Sequence, residues 1–188
     1  MLKKYLFALL ILFVPVGGYA FALHNWYVRG LAGCNYTSGT EFGYAVGGSV
    51  GYKFLKTFRL EGEITYRNNE IDKIRFDDGL EVPFEGHLSS LNCLANVLFT
   101  PSIKFLFIPY FGVGAGWGQA KQKGEISTQA IHFALEKTHK SQARYQVILG
   151  LNLLQFYNIE CDIEYHYLAS FNIDGSDHTL ALAGAWTF

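Results

Sequence analysis

The sequence predicts an all-β chain that closes into an eight-stranded antiparallel up-and-down transmembrane β-barrel after a cleaved signal peptide. Three observations carry that prediction. Apolar residues alternate with small or polar ones at period two through eight segments, with turn residues between them, and not at the helical period of 3.6. Half of the chain is apolar and only 16% is charged, against roughly 25% charged in ordinary soluble domains. Yet beyond the N-terminus no run of about 18 apolar residues could cross a membrane as a helix, so the apolar surface is dispersed over strands. Finally, the stretch His178–Phe188 reads as a strand in need of a partner. If it pairs with the first strand, the sheet loses both edges, which is how a β-structure satisfies its backbone in lipid.

The N-terminus begins with Lys3 and Lys4, followed by the apolar stretch Tyr5–Val16 and small residues ending in Ala20-Phe-Ala22. A basic region, an apolar core and an A-x-A site form a secretory signal. The expected division is therefore a signal peptide at 1–22 and a barrel domain at 23–188. Cleavage after Ala20 is the alternative to cleavage after Ala22. Net charge is −1, or −3 once Lys3 and Lys4 leave, which excludes a broad basic footprint for nucleic acid.

The segments follow in order. In the first, Tyr27, Arg29 and Leu31 share one parity and Trp26, Val28 and Ala32 the other. The second sets Phe42, Tyr44, Val46, Val50 and Tyr52 against Gly43, Ala45, Gly47, Ser49 and Gly51. The third sets Phe58, Leu60, Ile64 and Tyr66 against Arg59, Glu61, Glu63, Thr65 and Arg67. Taken alone, this segment also fits a soluble strand with one wet face. The fourth, about Leu88 to Phe99, opposes Leu91, Cys93, Ala95 and Val97 to Ser90, Asn92 and Asn96. The fifth, Pro109 to Gln119, opposes Phe111, Val113, Ala115 and Trp117 to Tyr110 and four glycines. Those glycines make sense where bulky side chains across a narrow lumen need room. The sixth, Gln142 to Asn152, alternates Tyr145, Val147, Leu149 and Leu151 with Arg144, Gln146 and Gly150. The seventh alternates Ile159, Cys161, Ile163, Tyr165 and Tyr167 with Glu160, Asp162, Glu164 and His166. In the eighth, Leu180, Leu182, Trp186 and Phe188 face lipid.

An even strand number leaves both termini on the periplasmic side. The inner turns are then Lys53–Thr57, Thr100–Leu106 and Leu153–Gln155, and the outer connections Asn35–Glu41, Asn68–Gly86, Ala120–Ser141 and Ala169–Asp177. Short inside and long outside is the pattern of outer-membrane barrels. Within the third outer connection, Ile126–Lys137 is left open between a short helix and an extension of the flanking hairpin. Trp26, Tyr52, Phe58, Phe99 and Phe188 fall at inner strand ends, and Phe42, Tyr66, Trp117, Tyr145 and Tyr167 at outer ends, giving two aromatic girdles.

Several of these stretches resemble the small outer-membrane barrels of the OmpA, opacity-protein and Ail/OmpX type. They are Trp26-Tyr-Val-Arg-Gly, Pro109-Tyr-Phe-Gly-Val-Gly-Ala-Gly-Trp-Gly, Glu160-Cys-Asp-Ile-Glu-Tyr-His-Tyr and the terminal aromatic Phe188. The resemblance implies a location in the bacterial outer membrane. It also implies that Trp186 and Phe188 form the signal read by the barrel assembly machinery. Members of these groups serve as adhesins, surface antigens, membrane anchors and occasionally enzymes.

The dense polar constellation is the inferred interior, where Arg29, Arg59, Arg67 and Arg144 accompany Glu61, Glu63, Glu160, Asp162 and Glu164. Buried carboxylates need charged or hydrogen-bonded mates, so these residues are expected to form a salt-bridged plug. Arg29 is expected to face the glycine-rich fifth segment and Arg144 the glycine-rich second, large against small. A narrow pore or a proton-sensitive gate is the functional alternative. A hydrolase would draw on His166 with Glu164, or on Ser176-Asp-His178, a run that reads more naturally as turn chemistry. Cys34, Cys93 and Cys161 fall on the outward face, and His24, His87, His132 and His139 are scattered, so neither a metal nor a cofactor is expected. The expected function is that of a surface-exposed structural or interaction protein, contacting outer-membrane lipid by its wall and a host or environmental ligand by its outer loops. A small porin and a lipid-modifying enzyme are the alternatives.

Overall fold

The computed structural model describes residues 25–37, 42–54, 57–75, 81–102, 107–128, 131–138, 141–171 and 175–188, by backbone alone at 72–75, 81–85, 123–128 and 131–138. The stretch expected to be a signal peptide, 1–22, and the cleavage points expected at Ala20 or Ala22 lie outside the described residues. Among the described residues nine strands appear: β1 (Trp26–Thr37), β2 (Phe42–Phe54), β3 (Phe58–Arg75), β4 (Glu81–Phe99), β5 (Ile108–Thr128), β6 (Ile131–Thr138), β7 (Gln142–Phe156), β8 (Ile159–Ser170) and β9 (Ser176–Thr187). All neighbouring pairs are antiparallel. Pairing of β4 with β5 closes eight of the strands into a ring, and β6 is an appendage on β5. The last strand does meet the first: β9 pairs with β1 from Thr187↔Tyr27 to Asp177↔Thr37. The Phe188 amide adds a hydrogen bond to the Trp26 carbonyl at 2.9 Å.

The period-two parity sorts side chains as anticipated. Glu164 is 0% exposed while Leu182 is 65% exposed, an inside-out distribution that only a lipid-facing wall makes favourable. Cys34, Cys93 and Cys161 are free and on the outer face. Aromatic neighbours line both rims. Trp26 lies 5.3 Å from Tyr52 and Phe58 lies 5.1 Å from Phe99 at the inner end, and Tyr145 lies 6.4 Å from Tyr167 at the outer end.

The structure departs from the sequence-based expectation at three places. The described parts of the second and third outer connections are paired strand. Pairing of β3 with β4 continues to Arg75↔Glu81, and β5 with β6 forms a hairpin to Thr128↔Ile131. Ile126–Thr128 and Ile131–Lys137 thus extend the hairpin. Because β4 and β5 stay paired up to Glu85↔Glu125, the two hairpins join into one four-stranded sheet standing above the barrel. The β7–β8 turn lies at Tyr157-Asn158 and not at Leu153–Gln155. A bulge between Asn152 and Leu154 breaks the alternation while pairing runs on to Phe156↔Ile159. Finally, large-against-small packing occurs between strand neighbours and not across the lumen. The Tyr27 ring lies over Gly51, where a Cβ would fall 2.2 Å from Cζ, and Tyr110 lies over Gly150, where the gap would be 2.1 Å. Arg144 lies along Gly118 of β5, not along β2. Inward side chains of adjacent strands converge in a narrow barrel, so each bulky group needs a bare partner in register.

Candidate functional site in the lumen

Strand parity turns every second residue of eight strands into the same small volume, and the groups that meet there form three layers. In the middle layer Arg29 of β1 reaches between two opposed strands. Its Nη1 lies 3.0 Å from Glu61 Oε2 and 3.2 Å from Oε1, and its Nη2 pairs with Glu164 of β8. All three side chains are buried. Tyr27 donates its hydroxyl to Glu61, and Tyr110 donates to Glu164 and lies 3.1 Å from Asp162 Oδ2. Asn152 donates to the other Asp162 oxygen at 2.7 Å. Glu63 is held by neutral donors, Asn96 Nδ2 at 2.6 Å and Gln146 Nε2 at 2.9 Å. His166 Nε2 lies 2.9 Å from Glu164 Oε2, which extends the network along β8.

The inner layer joins Lys53 and Arg59 to Glu160, with Arg59 Nη1 at 3.5 Å. The Arg59 guanidinium also stacks 4.4 Å from the Tyr110 ring centroid, a cation–π contact that desolvation strengthens. The outer layer is built on Asp177. Its Oδ2 lies 3.3 Å from Arg144 Nη1 and 3.8 Å from Arg67 Nη1, and its Oδ1 accepts from Thr37 Oγ1 at 2.6 Å. Beside it Asn35 donates to Asn69 Oδ1 at 2.6 Å and accepts from Thr179 Oγ1 at 2.6 Å.

All nine lumen charges singled out from the sequence point inward and are buried. Arg29, Glu61, Asp162 and Glu164 share one network, and Arg59 meets Glu160. Among the described residues, Arg67 and Arg144 form no ion pair with the carboxylates of β3 or β8. They converge on Asp177, whose consecutive setting with Ser176 and His178 looks like turn chemistry in the sequence. Tyr27, Tyr110, Gln146 and Lys53 were missed as network members. Tyr27, Tyr110 and Gln146 carry inward parity but no charge, and Lys53 falls in the stretch that reads as an inner turn. Leu98 and Ile148 also point inward and pack with Tyr110, an apolar floor that parity alone would have revealed.

The hydrolase groups fall apart. His166 is 1% exposed and faces the lumen, whereas Ser176 and His178 share the outward parity at the outer rim. Ser176 Oγ lies 3.0 Å from His178 Nε2, and the Tyr165 hydroxyl lies 2.6 Å from Nδ1. The wall of the barrel separates that pair from the Glu164–His166 pair. Trp186 and Phe188 lie side by side on the lipid face with ring centroids 5.1 Å apart. Among the described residues, no group of three or more His, Cys, Asp or Glu is placed to hold a metal.

Against known proteins, a family model for the outer membrane protein beta-barrel domain matches residues 6–188. The chain belongs to that family. It is an outer-membrane β-barrel protein of the bacterial outer membrane. Solved structures agree on the fold. Neisserial surface protein A is 15% identical with a TM-score of 0.56, covering 87% of this chain and 97% of that one. The attachment invasion locus protein Ail of Yersinia pestis, solved with the heparin analogue sucrose octasulfate, is 18% identical with a TM-score of 0.53 over the same shares. A major outer membrane protein of Thermus thermophilus is 12% identical with a TM-score of 0.63, covering 88% of this chain and 100% of that one. No curated protein sequence matches the chain significantly.

Proposed function

We propose that this outer-membrane barrel is a surface-exposed structural and interaction protein, an adhesin or surface antigen, that meets host or environmental molecules through its outer ribbons. The observation that carries this reading is the four-stranded sheet made by the outer parts of β3, β4 and β5 with β6. A strand needs about 9–11 residues to cross the outer membrane, and β3, β4 and β5 have 18, 19 and 21. The surplus is hydrogen-bonded into one body, with Glu85↔Glu125 tying its two hairpins together. A pre-ordered platform loses less conformational entropy on binding than a free loop does. The salt-bridged middle layer supports an exterior role over solute passage, because Arg29 and its two carboxylates occupy the lumen between the cavities at either mouth. The reading favours binding over hydrolysis, because His166 is buried in the lumen and the His178 ring is held by the Tyr165 phenol. In this reading the wall contacts outer-membrane lipid, and the Trp186–Phe188 end engages the assembly machinery.

The test is to replace residues 72–82 with a short glycine linker and express the variant on a non-adherent host. The barrel should still show heat-modifiable mobility in detergent gels, while adhesion of the cells to epithelial monolayers and to immobilised heparin falls to background. Adhesion unchanged by the deletion, in a barrel that still folds, would overturn the proposal.

A further inference from the structure

The geometry points to a small-oxyanion site in the outer vestibule of the lumen, built on Arg144, with Arg67 behind the lining against Asp177, and taking a phosphate-class anion. A cavity of about 150 Å³ opens there, lined among others by Arg144, Asp177, Gln142, Ser90, Thr37 and Ala120. Two guanidinium groups serve this layer, and among its described residues Asp177 is the one carboxylate. Both use the same oxygen, Oδ2, at 3.3 Å from Arg144 and 3.8 Å from Arg67, while Oδ1 is taken by Thr37. Within ion-pair distance the layer thus holds two guanidiniums to one carboxylate, with Glu63 of the layer below acting on Arg67 from farther off.

A second and independent observation concerns hydrogen bonds. Arg67 is 2% exposed, yet its Nε and Nη1 have no hydrogen-bond acceptor among the described residues, and neither has the Nε of Arg144. Buried guanidinium donors without acceptors are strongly disfavoured, because they lose hydration and gain nothing for it. Arg29 too has buried nitrogens without a hydrogen-bond acceptor, but it lies between two carboxylates, Glu61 and Glu164, where Arg67 and Arg144 share one. A tetrahedral oxyanion offers acceptors in several directions and matches the planar fork of arginine. Gln142, Ser90 and Thr37 add neutral polar groups on the wall. Partly exposed Gln142 and Asp177 leave the cavity open toward the outer side. The same chemistry is carried by free phosphate and by the phosphate of a glycolipid headgroup folding over the rim.

The experiment titrates inorganic phosphate into the refolded full chain by calorimetry, in neutral-detergent micelles. Saturable binding is expected, and Arg144→Gln should weaken it at least tenfold while the folded gel mobility is kept. Asp177→Asn should tighten binding several-fold, because the added anion then has no carboxylate to compete with. A merely structural role for Asp177 moves binding in no such direction. Ala120→Leu, which leaves every charge in place and fills the cavity, should abolish binding and covers the case in which Arg144→Gln fails to fold. Repeating the titration in nanodiscs of phosphorylated glycolipid separates the sources: unchanged affinity assigns the site to a free anion, and weakened apparent affinity assigns it to the headgroup. Absence of saturable binding, or an Asp177→Asn variant that binds no better than wild type, would overturn the assignment.

Discussion

Replacing Arg29 with methionine removes the one guanidinium that bridges Glu61 and Glu164, while methionine keeps most of the volume of the stem. The neighbours cannot make good the loss. Tyr27, Tyr110 and Ser49 still donate to the two carboxylates, but these are neutral groups facing two buried negative charges. Breaking a buried pair by removing one partner costs about 3–5 kcal/mol. With a denaturant slope of about 2 kcal/mol per molar urea, the unfolding midpoint should fall by about 2 M. The assay is urea titration of the refolded barrel in micelles, followed by the fluorescence of Trp26, Trp117 and Trp186 and by gel mobility. The triple variant Arg29→Met, Glu61→Gln, Glu164→Gln leaves no buried charge of this trio without a mate, so it should recover most of the loss. A single variant destabilised by less than about 1 kcal/mol, or a triple variant no better than the single one, would refute the view that Arg29 neutralises this pair.

Other expectations are more local. Gly51→Ala places a methyl 2.2 Å from the Tyr27 ring, and overpacking of that kind should cost roughly 1–3 kcal/mol in the same urea assay. Adding Tyr27→Leu to that variant should return part of the loss. Deleting Phe188 should lower the amount of folded protein in the outer membrane, measured by heat-modifiable mobility of membrane fractions, with a much smaller effect on refolding in detergent. Cys93 lies on the lipid face of mid-strand β4, paired with Ile64 and Trp117, so in intact membranes it should react with a membrane-soluble maleimide and resist a charged one. Equal labelling by both reagents would place that face in water.

The barrel was legible in the sequence because a closed sheet in lipid leaves its parity written on every strand. Phe42 to Tyr52 and Leu180 to Phe188 read correctly from alternation alone, and the same counting put nine buried charges inside. What parity could not reveal was where pairing stops. At Leu153 the alternation breaks while the strand continues, because a bulge inserts one residue without ending the ladder. In 68–86 and 120–141 the polar composition reads as loop, yet backbone pairing needs no apolar face once the strands stand clear of the membrane. Partner choice was hidden for a different reason. Arg144 and Asp177 are 33 residues apart, and only the register of β7, β8 and β9 brings them to one rim. Turn-like Ser176-Asp-His178 therefore concealed the acid that anchors the outer layer.

Arg29, Glu61 and Glu164 fill the middle of the lumen and should close it to ions. Single-channel recording of the full wild-type chain in planar bilayers tests it most directly. Insertion without unitary current steps is the predicted result, and the charge reversal Glu61→Lys, which breaks the network, should destabilise the barrel without creating an ion-selective channel. Regular, ion-selective steps from wild type that change with Glu61→Lys would contradict the closed lumen and make the middle layer a gate.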